Sequence, residues 1–185
     1  MFANASNNQF QFSFPRTFIP DEIVNVYKPY MDRIPGNMMS EPIDLLNYGI
    51  QTVQLPETGF EPVEQGALIG RKKMYRSSIS KVELQPKEFT ITMKQMDGFI
   101  TYWMMLDILN YYYATTTIKP YLPDGTILNV LDYEGYSIVT IIPKRLVLKG
   151  ISNIEMSFSN NAAEYQTFDV NFVYNEIEIQ VDLGN

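Results

Sequence analysis

The stretch EYQTFDVNFVYNEIEIQVD, Glu164 to Asp182, alternates apolar and polar residues along nearly its whole length and inverts its phase near the middle. Phe168, Val170, Phe172 and Tyr174 hold even positions, whereas Ile177, Ile179 and Val181 hold odd ones. Successive strand side chains point to opposite faces of a sheet, so this alternation reads as half-buried strand, and a shift of phase by one residue turns every later side chain over. The stretch therefore holds two strands with no turn sequence between them. A bulge near Asn175 and Glu176 accounts for the switch if the first strand completes the chain's own sheet and the second is redirected toward an adjacent copy.

The remaining segments supply partners for such strands. QFQFSF, Gln9 to Phe14, reads as a first strand ended by Pro15, and DEIVNVYKPYMDRI as a short helix over about residues 21–32 that Pro29 kinks or stops. EPIDLLNYG holds a helical turn from Pro42, and YGIQTVQLP a strand ended by Pro56. KEFTITMKQ places Phe89, Ile91 and Met93 on one strand face. Asp97 is a candidate N-cap for the long helix expected over about residues 99–114, which is apolar nearly all round and so must be covered on more than one side. Its Met and Tyr residues read as core filling rather than a cofactor pocket. Beyond it, IKPYLPDGTILNV reads as a hairpin turning at Pro123, Asp124 and Gly125, and YSIVTIIP and KRLVLKG as strands separated at Pro143. The expected fold class is α+β, mainly β: one domain over residues 1–185, an antiparallel β-sandwich or partly closed barrel with one long inserted helix.

The chemistry available is narrow. The chain has no Cys and no His, which removes disulfides, the usual zinc sites, thiol nucleophiles and imidazole bases together. Asp97 and Asp107 stand about 15 Å apart along a helix, too far for either glycosidase geometry. No enzymatic activity, cofactor or metal is expected. The window Phe99 to Leu109 is too short to span a bilayer, and MFANASNNQF lacks the basic start and apolar run of a signal peptide, so a soluble protein is expected.

Charge is uneven. Against a net −7, Arg71, Lys72, Lys73, Arg76, Lys81 and Lys87 crowd into one short run, while after Lys149 there is no Lys or Arg and six acids follow. Two solvated faces would give this pattern; so would a molecule with one basic and one acidic surface suited to head-to-tail association. The basic run lies in residues 56–86, which show little apolar periodicity. They read as a loose excursion, a simple hairpin or, preferentially, an intermolecular contact arm, because Met74 and Tyr75 give it something to bury.

The order of segments is similar to that of the tail tube proteins of tailed bacteriophages. The similarity is carried by QLP before the long arm, FTITMKQ, a helix with Trp103 and Leu106, LVLKGISNIEMSFSN and above all FDVNFVYNE, and it covers roughly Phe10 to Val181. The same fold family includes tube proteins of contractile injection systems and tail ring, hub and terminator proteins. This chain departs from a minimal tube protein in carrying the helical insertion 15–47 between its first two strands.

The resemblance implies a structural role in a virion tail built in the host bacterial cytoplasm. Six copies would form a ring, their sheets would join into one barrel, and rings would stack into a conduit for double-stranded DNA, which passes without specific binding. Other tail proteins would be further partners, and no membrane is involved. On this reading Arg71, Lys72, Lys73, Met74, Tyr75, Arg76, Ile177 and Ile179 make contacts between subunits or rings, and Asp169, Glu176 and Glu178 face the lumen as phosphate-repelling acids. The alternatives are a tail ring, adaptor or terminator of the same fold and, from another class, a monomeric carbohydrate-binding sandwich with a Tyr platform.

Overall fold

The computed structural model describes residues 9–33, 39–54, 63–66, 73–76, 87–113, 120–154 and 166–182, with 63–66 and 73–76 described as backbone alone. Its elements are β1 (Phe10–Ser13), α1 (Asp21–Met31), α2 (Pro42–Gly49), β2 (Ile50–Val53), β3 (Val63–Gly66), β4 (Lys73–Arg76), β5 (Glu88–Lys94), α3 (Ile100–Tyr113), β6 (Ile127–Leu131), β7 (Ser137–Lys144), β8 (Val147–Ile151), β9 (Thr167–Val173) and β10 (Glu176–Val181). Two antiparallel four-stranded sheets form, one in the order β1-β6-β7-β10 and the other in the order β2-β5-β9-β8, while β3 and β4 pair only with each other. The architecture is α+β and mainly β, a sandwich rather than a closed barrel.

Strand alternation fills the space between the sheets as expected. Phe89, Ile91 and Met93 of β5 and Phe168, Val170 and Phe172 of β9 are all buried, and Phe12 and Phe14 meet them from the other sheet. Phe14 lies 5.8 Å from Phe172 and Phe12 lies 6.4 Å from Phe89, ring centre to ring centre. Phe89 itself stacks on Phe172 at 5.2 Å.

Helix α3 is covered on two sides by its own chain, as its apolar circumference demands. Toward the β2-β5-β9-β8 sheet, Tyr102 meets Phe168 edge-on at 5.5 Å and the Tyr113 hydroxyl accepts the Leu148 N–H at 2.9 Å. Toward α1, the Tyr27 hydroxyl donates to the Asp107 carboxylate at 2.5 Å. Burial, the hydrogen bond and the charge of Asp107, in that order, push the Tyr27 hydroxyl far above the usual phenol range. Tyr112 is pushed up to about 12 by burial, with smaller contributions from Tyr111 and Tyr113. Both phenols stay neutral at any physiological pH.

Four local expectations are corrected. Asp97 does not cap α3: Gly98 and Phe99 turn at φ 68° and 57°, and the buried Thr101 hydroxyl instead accepts the Met96 N–H and donates to the Lys94 carbonyl. No hairpin turns at Pro123 to Gly125; residues 120–126 run as a loop held by the Leu122 N–H on the Leu146 carbonyl, and the β6–β7 turn falls at 132–136. Pro143 does not separate two strands but lies within β7 opposite Ile177. The Asp182 N–H bonds to the Ile138 carbonyl, so bonded pairs alternate down the ladder and the Pro143–Ile177 pair exchanges none, which makes the missing N–H harmless. The strand ends one residue later at Lys144, and Arg145 follows in the left-handed region at φ 53°.

The fourth correction concerns the inverted phase. Tyr174 and Asn175 carry the chain from one sheet into the other, so the second half of the stretch pairs with the chain's own β7 over six residues, Glu176 opposite Lys144 to Val181 opposite Val139. Residues that switch sheets must invert their inward parity, and no bulge is needed. If Phe172 joins the sheets as described, Phe172→Ala should destabilise the fold by about 3–5 kcal/mol in denaturant unfolding; a loss below about 1 kcal/mol would contradict this packing.

Candidate assembly interface

The β1-β6-β7-β10 sheet has two unlike faces. Opposed residues share a face, so the registers place Phe12, Leu128, Ile141 and Ile179 in one row and Phe10, Val130, Val139 and Val181 in the next, all on the inward side. Phe12 and Leu128 are buried, but Ile179 is 56% exposed, Val181 is 60% exposed, and none of the second row is buried. The sheets also part around an open apolar cleft lined by Phe12, Val53, Phe89, Leu128, Tyr174 and Ile177. An apolar face thus runs outward from the core along β10 and stays largely uncovered.

The opposite face is polar. Gln11, Asn129, Thr140 and Gln180 form a cross-strand row, with the Thr140 hydroxyl donating to the Asn129 side chain at 3.0 Å. Glu176 and Glu178 lie on this same face. Each meets a cation: Lys144 pairs with Glu178, and Arg145 Nη2 lies 3.0 Å from Glu176. The Glu178 carboxyl is held below the usual range by its hydrogen bond from Lys144, then by that from Gln180 and by the Lys144 charge. The Lys144 ammonium is raised, first by the same hydrogen bond and then by the same charge.

The four sheet edges differ. Among the described residues no further strand pairs with β1, β10, β2 or β8 on its outer side. On β8 the register shifts between Leu148 and Gly150, where Lys149 reaches Glu88 at 2.7 Å, and on β2 it shifts between Ile50 and Thr52. Bulges and Lys are devices that discourage edge pairing. Strand β10 has neither, nor a Pro, and keeps an unbroken register with β7. Bonded pairs alternate back from Asp182–Ile138, so the N–H groups of Ile177, Ile179 and Val181 point away from β7.

The sequence-designated residues are distributed as follows. Ile177 packs against the core and Ile179 stands exposed, both on the inward face of β10. Asp169 is not brought together with Glu176 and Glu178: it lies on the outward face of the other sheet, where its carboxylate accepts the Thr92 hydroxyl at 2.8 Å. Lys73, Met74, Tyr75 and Arg76 form β4, opposite Val63 to Gly66 of β3. Arg71 and Lys72 fall outside the described residues. The sequence reading missed the 132–136 turn, where the Asp132 carboxylate accepts the N–H groups of Glu134 and Tyr136, each at 2.8 Å. It presents Tyr133 and Tyr136, 70% and 69% exposed.

No protein-family model and no curated protein matches the chain. Among solved structures, a chain in the six-fold symmetrised baseplate of the anti-feeding prophage aligns over 98% of this chain and 98% of its own length, with a TM-score of 0.55 and 9% identity. The chain shares the fold of that baseplate chain. Two chains of an extracellular contractile injection system overlap more loosely: one from its sheath/tube terminator (71% of this chain and 85% of that one, TM-score 0.49, 10% identity) and one from its sheath-tube complex (74% and 81%, 0.47, 10%). Those two add nothing to the assignment. Among the described residues, the edge without bulge, Lys or Pro and the uncovered apolar rows belong to the same sheet.

The Lys144–Glu178 pair has a signed pH dependence. Its contribution is present above the unfolded Glu pKa and is lost as pH falls through the lowered folded value; at the alkaline side it is complete below the unfolded Lys pKa and lost as pH rises through the raised one. Both groups are exposed, so the effect on stability is small. Carboxyl NMR should find Glu178 titrating below the usual glutamate range and moving up toward it in Lys144→Met; a midpoint unmoved by the substitution contradicts the pairing.

Proposed function

We propose that the chain is a structural subunit of a tail-like assembly, in which the β10 edge of one copy pairs with the β1 edge of the next and six copies close a ring. The observation that carries this reading is the edge itself: a regular six-residue strand without bulge, Lys or Pro that carries the exposed Ile179 and Val181. Burying the part of those two side chains that is still exposed, 56% of Ile179 and 60% of Val181, favours association by about 1–2 kcal/mol each. Strand directions alternate across β1, β6, β7 and β10, so β10 runs antiparallel to β1. A rotated copy therefore continues the antiparallel pattern without a fault. Six copies give a barrel of about 24 strands and, at ~4.8 Å spacing and ~40° tilt, a backbone diameter of roughly 48 Å.

In such a ring the apolar face turns outward toward the second sheet, and the row Gln11, Asn129, Thr140 and Gln180 lines the channel. Glu176 and Glu178 would share that lumen with Lys144 and Arg145, which makes the wall polar and nearly neutral rather than acidic. A wall without unpaired cations does not hold phosphates through counterion release, so DNA could slide along it. Asp169 would lie on the outside, and Ile177 and Ile179 would sit at the junction between subunits. A ring at one end of a tail is favoured over the repeated tube subunit, because the baseplate chain aligns with this one through its helical insertion.

Light scattering should find a six-chain particle, against 21.4 kDa for the single chain. Ile179→Pro removes an outward N–H and leaves the β7 ladder intact, so it should yield a folded monomer. A wild-type chain that stays monomeric when concentrated would overturn the ring and leave the carbohydrate-binding reading standing.

A further inference from the structure

The outer side of β1 is closed at one end by a side chain from α2. The Leu131 N–H bonds to the Gln9 carbonyl at 3.0 Å, and bonded pairs alternate from there through Gln11–Asn129 and Ser13–Ile127, so the backbone groups of Phe10, Phe12 and Phe14 point away from β6. Among the described residues no strand receives those of Phe10 and Phe12. Phe14 differs. Its N–H donates to the Asn47 side-chain oxygen at 2.8 Å, and the Asn47 amide nitrogen donates back to the Phe14 carbonyl at 3.3 Å. A residue of a neighbouring strand would make the same two-way exchange, and Asn47 occupies the place it would need.

Both members of this clamp are anchored. Asn47 is carried by α2, whose Leu45 and Leu46 are buried, and Phe14 is itself buried and stacked on Phe18 at 4.2 Å, ring centre to ring centre. Pro15 ends the pairing of β1 with β6, but only Asn47 closes the outer side at Phe14. The β10 edge has a stop of its own. Its outward backbone groups begin at Ile177, because the Asn175 N–H turns inward to the Lys144 carbonyl at 3.3 Å and the Asn175 side chain donates to the Arg145 carbonyl at 3.0 Å.

We infer that Asn47 is a register stop, which fixes how two copies join: Phe10 of one opposite Ile179 of the next, and Phe12 opposite Ile177. The choice of β10 as the partner strand rests on the ring reading. A slip of two residues in one direction puts Ile177 opposite Phe14, where Asn47 already sits. The same slip in the other direction puts Asn175 opposite Phe12, and the Asn175 N–H is already bonded within its own chain. A slip of one residue turns the apolar face of one copy onto the polar face of the other. In the register that remains, Phe10 and Phe12 meet Ile179 and Ile177 on the inward face, Gln11 meets Glu178 on the polar face, and no like charges are opposed.

The chain has no Cys, so single-cysteine variants report the register without background. Gln11→Cys chains are mixed with Glu178→Cys or with Gln180→Cys chains, oxidised with copper phenanthroline and read on non-reducing gels, with particle mass measured by light scattering in parallel. In the inferred register positions 11 and 178 form a non-bonded pair with Cα atoms about 4.5 Å apart, within disulfide reach, whereas position 180 lies about 8 Å away, beyond it. The link to position 178 should therefore exceed that to position 180 by about tenfold or more. In an Asn47→Ala background the stop is gone, and the two links should come within about twofold of each other. A merely structural role for Asn47 would lower both links together and leave their ratio unchanged. Asn47→Asp keeps the acceptor for the Phe14 N–H and loses the donor; it should shift the ratio in the same direction, and it replaces the alanine variant if that one does not fold. Six-chain particles in which the link to position 180 equals or exceeds that to 178, in which neither link forms, or in which the preference survives both substitutions overturn the register stop and leave the ring. The link to position 178 in particles smaller than six overturns closure of the ring and leaves the stop; a chain that stays monomeric overturns both.

Discussion

The passage of one chain between two sheets within two residues is the constraint on which the structure depends. Tyr174 is buried against Phe89 at 6.3 Å, and the Asn175 side chain donates to the Arg145 carbonyl at 3.0 Å, so the crossing is anchored to β5 and to the end of β7 together. Because β9 lies inside its sheet and β10 at the edge of the other, whatever fixes this crossing also fixes which strand is left with an open side. The sandwich packs where Phe12, Phe14, Phe89 and Phe172 meet, and the rows farther along β10 receive no equivalent cover. The exposed apolar rows and the open edge are thus two consequences of one topological step.

Two sheets that differ in how their edges are finished point to a division of labour. Further pairing on the β2-β5-β9-β8 sheet is discouraged by irregular registers at β2 and β8, and α3 and α1 with their buried phenols pack on that side. The β1-β6-β7-β10 sheet is regular where it is open, and its polar face balances Glu176 and Glu178 against Arg145 and Lys144. Among the described residues nothing covers β10, and an edge of this kind is a template for pairing with another chain.

Much of this was legible in the amino-acid order. Phe89, Ile91 and Met93, and Phe168, Val170 and Phe172, announce their inward faces by parity alone, and the circumference of α3 announces burial on two sides. The parity switch at Asn175 was visible too, but a bulge and a change of sheet invert parity alike, and only the partner strand tells them apart. For the same reason Asp169 could not be separated from Glu176 and Glu178: an acid's face is set by its own strand, but which layer that strand belongs to is a long-range property. Lys144 and Arg145 neutralise the acids across a strand pair, more than thirty positions away in the chain. The 132–136 turn escaped notice because Pro123, Asp124 and Gly125 offered stronger turn chemistry nearby, whereas those residues serve a loop whose Gly125, at φ 118°, lies against Pro15.

Residue-resolved hydrogen exchange of the assembled and the dissociated protein tests the central claim most directly. The outward amides of Ile177, Ile179 and Val181 should exchange freely in the separated chain and become as protected as that of Gln180 once copies associate, while the β8 edge stays unchanged. Amides on β10 that keep exchanging rapidly within the assembled particle would show that the open strand is not the joint between molecules.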